Sequence, residues 1–74
     1  MNNLSGRRIR DRRKELNMGQ VELAAAMKVD FDIVIDQSDI SEIERDVRGI
    51  KDFELDAIAR ILDISLVWLL RGEG

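Results

Sequence analysis

No proline interrupts the chain anywhere along its 74 residues, and that absence narrows its possible folds more than any single motif. Proline is the strongest breaker of a helix interior, because it lacks the N–H and clashes with the preceding turn. A proline-free chain rich in Leu, Ile, Ala, Glu, Arg and Lys is expected to fold as helices joined by short connections. At this length it makes one domain, residues 1–74, and its core must be efficient. Cysteine is absent, so neither a disulfide nor a thiolate metal site is available. Histidine and tyrosine are absent too, which removes the commonest general base and the commonest metal ligand. No constellation for catalysis remains, and neither enzyme activity nor a cofactor is expected. No apolar run is long enough to span a bilayer, and residues 1–6 lack the apolar core of a signal peptide. The expected setting is the cytoplasm.

Apolar spacing and cap residues divide the chain into five helices. Ser5 can cap a first helix of about Gly6 to Leu16, with Ile9 and Leu16 on one face at i, i+7 and Asn17 suited to its end. Gly19 can cap a second helix opened by Gln20, with Leu23, Ala24 and Met27 inward. A third helix fits about Gln37 to Asp46, with Ile40, Ile43 and Val47 inward, Asp36 as N-cap and Asp39 at the N3 position of a capping box. Ser38 is a rival N-cap. A fourth helix fits about Asp52 to Leu62, with Leu55, Ile58, Ala59 and Leu62 inward and Asp63 ending it. Ser65 caps a fifth helix carrying Leu66, Trp68, Leu69 and Leu70, stopped near Gly72. Trp68 reads as a core plug with its N–H at the surface.

Charge is unevenly placed. The net charge is −3, yet residues 1–28 hold seven basic side chains against three acidic, and residues 29–74 hold five against twelve. Local potential, more than net charge, governs phosphate contact. A basic first helix can meet a nucleic-acid backbone, although charge alone is equally what a solvated helix face shows.

Four segments in order carry a more specific signal: RRIRDRRKEL at the start, GQVELAAAMKV from Gly19, DQSDISEIER from Asp36 and ELDAIARILDISLVWLL from Glu54. Together they resemble the phage repressor and Cro-type helix-turn-helix family over nearly the whole chain. The resemblance implies an all-α, lambda-repressor-like bundle of about five helices. It also implies a sequence-specific DNA-binding transcriptional regulator, a repressor, acting as a homodimer on double-stranded DNA. Ala24 matches the small residue that lets the recognition helix pack closely. Gln20 matches the glutamine near a phosphate, at a helix N-terminus that also attracts anions. Arg13 and Glu44 match a structural ion pair between the first helix and the recognition helix. With Ile40 and Ile43 inward, Gln37, Ser38, Ser41, Glu42 and Arg45 line the opposite face, and the resemblance makes them the base-reading set. Gln37 suits an adenine edge, Glu42 a cytosine amine, and Arg45 a guanine or a phosphate. Arg10 and Arg48 complete the expected DNA contacts.

The chain departs from the family pattern at named places. Between Val29 and Asp36 it reads VDFDIVID, a link about six residues longer than the usual short turn. Its period-two alternation leaves three conformations open: an extended stretch folded onto the core, a strand paired with a second copy, or a longer second helix. Lys28 stands where the family usually has glycine, Arg12 where it prefers leucine, and Asp46 and Asp63 replace glycines. Asp36, Asp39, Glu42 and Asp46 place carboxylates near the expected DNA face. A rival function is a protein-interaction or antitoxin-like module of the same fold, contacting a partner through Phe31, Ile33 and Ile35.

Overall fold

The computed structural model describes residues 4–72. Five helices follow one another: α1 Leu4–Glu15, α2 Gln20–Phe31, α3 Gln37–Glu44, α4 Asp52–Leu62 and α5 Leu66–Arg71. No strand occurs among the described residues. α1 packs against α3, α4 and α5, and α2 packs against α3 and α4. One core results, with Ile9, Leu23, Met27, Ile40, Ile43, Ile58, Leu62 and Leu69 wholly enclosed.

Cap chemistry explains most of the helix boundaries. Gly19 is the N-cap of α2, and its N–H donates to Glu22 Oε1 at 3.0 Å. At α3 the capping box is reciprocal. Asp39 N donates to Asp36 Oδ1 at 2.9 Å, and Asp36 N donates to Asp39 Oδ2 at 3.1 Å. Asp36 therefore caps α3, rather than Ser38, which lies inside the helix. Ser65 Oγ accepts from Trp68 N at 2.9 Å and starts α5. Asn17, Asp32, Asp46, Asp63 and Gly72 all take left-handed backbone at helix ends, the geometry that turns a chain out of a helix.

Three expectations are corrected. Ser5 does not cap α1; it lies within the helix, and its hydroxyl donates to the Leu69 carbonyl at 3.1 Å. Leu16 does not share the face of Ile9, because the helix stops at Glu15 and Leu16 is left in the turn, 40% exposed. Val47 does not face the core. α3 ends at Glu44, two residues short of the expected Asp46, and the left-handed Asp46 swings Val47 outward.

The long link divides between two of its three candidate conformations. α2 runs on past Lys28 to Phe31, and the left-handed residue that ends it is Asp32, whose N–H donates to the Lys28 carbonyl at 3.0 Å. Lys28 thus sits in the last helical turn instead of terminating it, and its ammonium pairs with Asp32 at 3.0 Å. Residues 33–36 then form neither helix nor strand, with Asp36 extended, Ile33 and Ile35 packed on the core and Val34 outward. The apolar strip that the rival function would present to a partner is therefore split. Ile35 is a core residue and the partly buried Ile33 packs against the core, since covering two isoleucines outweighs exposing one valine. Phe31 remains partly exposed.

Candidate nucleic-acid interface

α3 turns Ile40 and Ile43 inward, and its other face is polar. Gln20, from the first turn of α2, joins Gln37, Ser38, Ser41, Glu42 and Arg45 around one shallow concavity. Beside it, Arg10 of α1 lines a second with Gln20, Ser41, Glu44 and Arg45. Three helices thus converge on one surface, and every residue expected to touch DNA is on it except Arg48.

Arg48 is engaged elsewhere. Its Nη1 and Nη2 donate to the two carboxylate oxygens of Glu54 at 3.1 and 2.9 Å, and Nη1 also donates to the Gly49 carbonyl at 3.0 Å. Glu54 is buried, and it also accepts from Lys51 N at 3.0 Å to cap α4. The hydrogen bond from Arg48 holds the Glu54 carboxyl below the usual glutamate range, against the opposing effect of burial. The same bond raises the Arg48 guanidinium. This cluster fastens the turn after α3 to the start of α4.

Arg13 and Glu44 lock α1 to α3. Arg13 Nε donates to Glu44 Oε2 at 2.7 Å and Nη2 donates to Oε1 at 2.9 Å, a bidentate pair. Its Nη1 donates to the Met18 carbonyl at 2.7 Å. Little of either side chain reaches solvent. The hydrogen bond to Glu44 raises the Arg13 guanidinium, against burial. From this pair a chain of amides leads to the surface. Gln20 Nε2 donates to Glu44 Oε1 at 3.2 Å, and Gln37 Nε2 donates to Gln20 Oε1 at 3.4 Å.

The basic side chains of α1 fall into two groups. Arg8 Nη1 donates to the Leu69 carbonyl at 3.1 Å, and Arg12 Nε donates to the Leu62 carbonyl at 2.9 Å. Both satisfy carbonyls near the C-terminal ends of α5 and α4, where a cation is favoured by the helix dipole. Arg12 thereby reaches a carbonyl that a leucine at this position could not satisfy. Arg7, Arg10 and Lys14 are exposed and form no ion pair among the described residues. The acidic cluster on α3 is likewise reduced in effect. Asp36 and Asp39 cap the helix and Asp46 forms its exit turn, so Glu42 is the carboxylate in the concavity.

Sequence reading missed Glu54 and Gly6. Glu54 was legible as an N3 glutamate three residues after an N-cap. A Cβ at Gly6 would run into the Ile43 carbonyl oxygen, so α1 and α3 cross there backbone to backbone. The available signal was a glycine inside a helix, which is costly unless close approach requires it.

The family model described as a helix-turn-helix domain matches residues 6–74. No curated protein matches the sequence. Among the described residues no cluster of acidic side chains could hold a metal ion, and no helix is long and apolar enough to cross a membrane.

Proposed function

The chain belongs to the helix-turn-helix family of the repressor and Cro type, and from that premise we propose that it is a sequence-specific transcriptional repressor that reads the major groove with α3. The observation that supports this best is the convergence of Arg10, Gln20 and the outward face of α3 on one continuous polar surface. In this reading Gln37, Ser38, Ser41, Glu42 and Arg45 face base edges, and the α2 N-terminus with Gln20 meets a phosphate. Arg10 approaches the backbone from the side, while Arg48 acts through the fold by holding Glu54. The working form is a homodimer whose two α3 helices enter half-sites about one DNA turn, roughly 34 Å, apart. The exposed Leu66, Val67 and Leu70 on α5 offer apolar surface for a second copy. In this reading the protein works in the cytoplasm, beside the DNA it binds.

A second reading, a protein-interaction module, draws support from Val29 and Val34, which are 81% and 84% exposed amid an acidic region. Salt separates the two readings. DNA binding weakens steeply as salt rises, whereas apolar association changes little. The test is incubation with pooled random duplex DNA at low and moderate salt, followed by sequencing of the retained fraction. A two-fold symmetric motif supports the repressor reading. Absence of binding even at low salt overturns it.

A further inference from the structure

We propose that the hollow between α1 and the turn from α4 to α5 is a binding site for a small aromatic carboxylic acid. Arg12, Glu15, Ile64, Ser65 and Trp68 line a space of about 350 Å³, within the size range of small-ligand sites. Ile64 and Trp68 are half-buried. Each packs against the core and leaves part of its side chain to the hollow. The polar part of the lining holds a guanidinium that is fixed before any ligand arrives. Arg12 Nε donates to the Leu62 carbonyl at 2.9 Å, which orients the plane of the group. Nη1 donates to Glu15 Oε1 at 3.3 Å, and Nη2 has no acceptor among the described residues. The pair with Glu15 is easily displaced, because the Glu15 side chain is 66% exposed and such surface pairs contribute little. A ligand carboxylate that replaces Glu15 gains both terminal nitrogens of Arg12 in one bidentate contact, and Glu15 returns to water.

An aromatic ring is the body that suits the apolar wall. The indole of Trp68 brings flat apolar surface, and paired rings gain more than their buried area alone supplies. The indole N–H has no acceptor among the described residues, and no buried side-chain nitrogen or oxygen there lacks a partner, so this donor is open to solvent. The site is separate from the α3 surface. Arg10 and Arg12 stand two positions apart on α1, about 200° around the helix, and each lines a different concavity. Binding in this hollow therefore leaves the α3 face clear and does not depend on what that face reads.

The chain itself supplies the reporter. Trp68 is its one tryptophan and it has no tyrosine, so tryptophan emission reads this hollow directly. The probe is phenylacetate, titrated at neutral pH and constant ionic strength. Phenylacetamide, which keeps the ring and loses the charge, and acetate, which keeps the charge and loses the ring, are the controls. Phenylacetate is expected to change the emission saturably, with a Kd of about 1 mM or tighter. Each control should bind at least roughly tenfold more weakly. Arg12→Met keeps the apolar stem and removes the guanidinium, and it should lower the affinity for phenylacetate to that for the amide. By nuclear magnetic resonance, the Ile64 methyl and Ser65 amide signals should move along the same binding curve, while those of Ser41 and Arg45 on α3 stay in place. An emission change that is only linear in added phenylacetate overturns the site. So does an equal affinity for phenylacetamide, or a curve followed by α3 signals in place of those of Ile64 and Ser65. These comparisons use the unaltered chain and hold whether or not Arg12→Met folds. In a folded Arg12→Met, unchanged affinity for phenylacetate overturns the role of the guanidinium and the proposal with it.

Discussion

At Gly6 the crossing of α1 and α3 leaves no room for a methyl group, because the nearest obstacle is the backbone of Ile43 rather than a side chain that can turn away. Gly6→Ala is expected to cost about 3 kcal/mol in urea unfolding, at the upper end of overpacking effects. Gly49 supplies the control, since a Cβ there meets nothing. Gly49→Ala should lie within about 0.5 kcal/mol of the unaltered protein. Equal effects at the two glycines would mean that α1 and α3 are not in close contact. Glu54 gives a second residue-scale expectation, this one dependent on pH. Its folded carboxyl titrates below the usual range because Arg48 bonds the ionised form. The resulting stability is fully present above the ordinary glutamate range and is lost as pH falls through the depressed folded value. Arg48→Met should cost about 2 kcal/mol at neutral pH. Its stability should also change less than that of the unaltered protein as pH is lowered below the ordinary glutamate range. Parallel pH curves for the two proteins would contradict the pairing.

At the scale of elements, the helices were legible because caps and apolar spacing agree. Asp52–Leu62 was bounded to the residue, by Asp63 at its end and by Leu55, Ile58, Ala59 and Leu62 on one face. The ends that were misread are those set by tertiary partners. Ser5 has the chemistry of a cap, but its hydroxyl finds a carbonyl of α5 that lies 64 positions away, which no local pattern reveals. Val47 continues the heptad-like spacing of Ile40 and Ile43, yet the backbone reverses at Asp46 before it can join them. On the candidate surface, the α3 face was legible from periodicity. The engagement of Arg48 with Glu54 was not, because both are polar residues whose pairing depends on how α3 meets α4. Left-handed aspartates are where the elements can be tuned. Asp63 holds φ 54° with a side chain that is exposed. Asp63→Gly should relieve backbone strain and raise stability by about 0.5 kcal/mol, a melting shift of roughly 2–4 °C, while Asp63→Ala should lower it by about 1 kcal/mol. Thermal unfolding followed by circular dichroism distinguishes these outcomes, and a stabilising alanine would contradict the left-handed exit.

Over the whole molecule, a net charge of −3 is reconciled with DNA contact by segregation. Many carboxylates are engaged within the fold. Asp36 and Asp39 cap α3, Glu44 holds Arg13, Glu54 holds Arg48, and Asp56 pairs with Arg60 at 3.1 Å. The basic side chains of α1 divide in the same way. Arg8, Arg12 and Arg13 bind groups of the protein, and Arg7, Arg10 and Lys14, which form no ion pair among the described residues, are open to an external anion. Few such cations per protomer means a shallow salt dependence for one copy, and the proposed homodimer would double their number on the duplex. Arg10 separates backbone attraction from base reading, since it lies beside α3 rather than on it. Arg10→Ala should weaken binding to selected and random duplexes by the same factor and reduce the slope of log affinity against log salt by about 1 per protomer. Gln37→Ala should instead leave that slope unchanged and reduce the ratio of selected to random binding. If both variants lose affinity equally for the two kinds of DNA, α3 does not read sequence, and contact with the backbone alone would account for the binding.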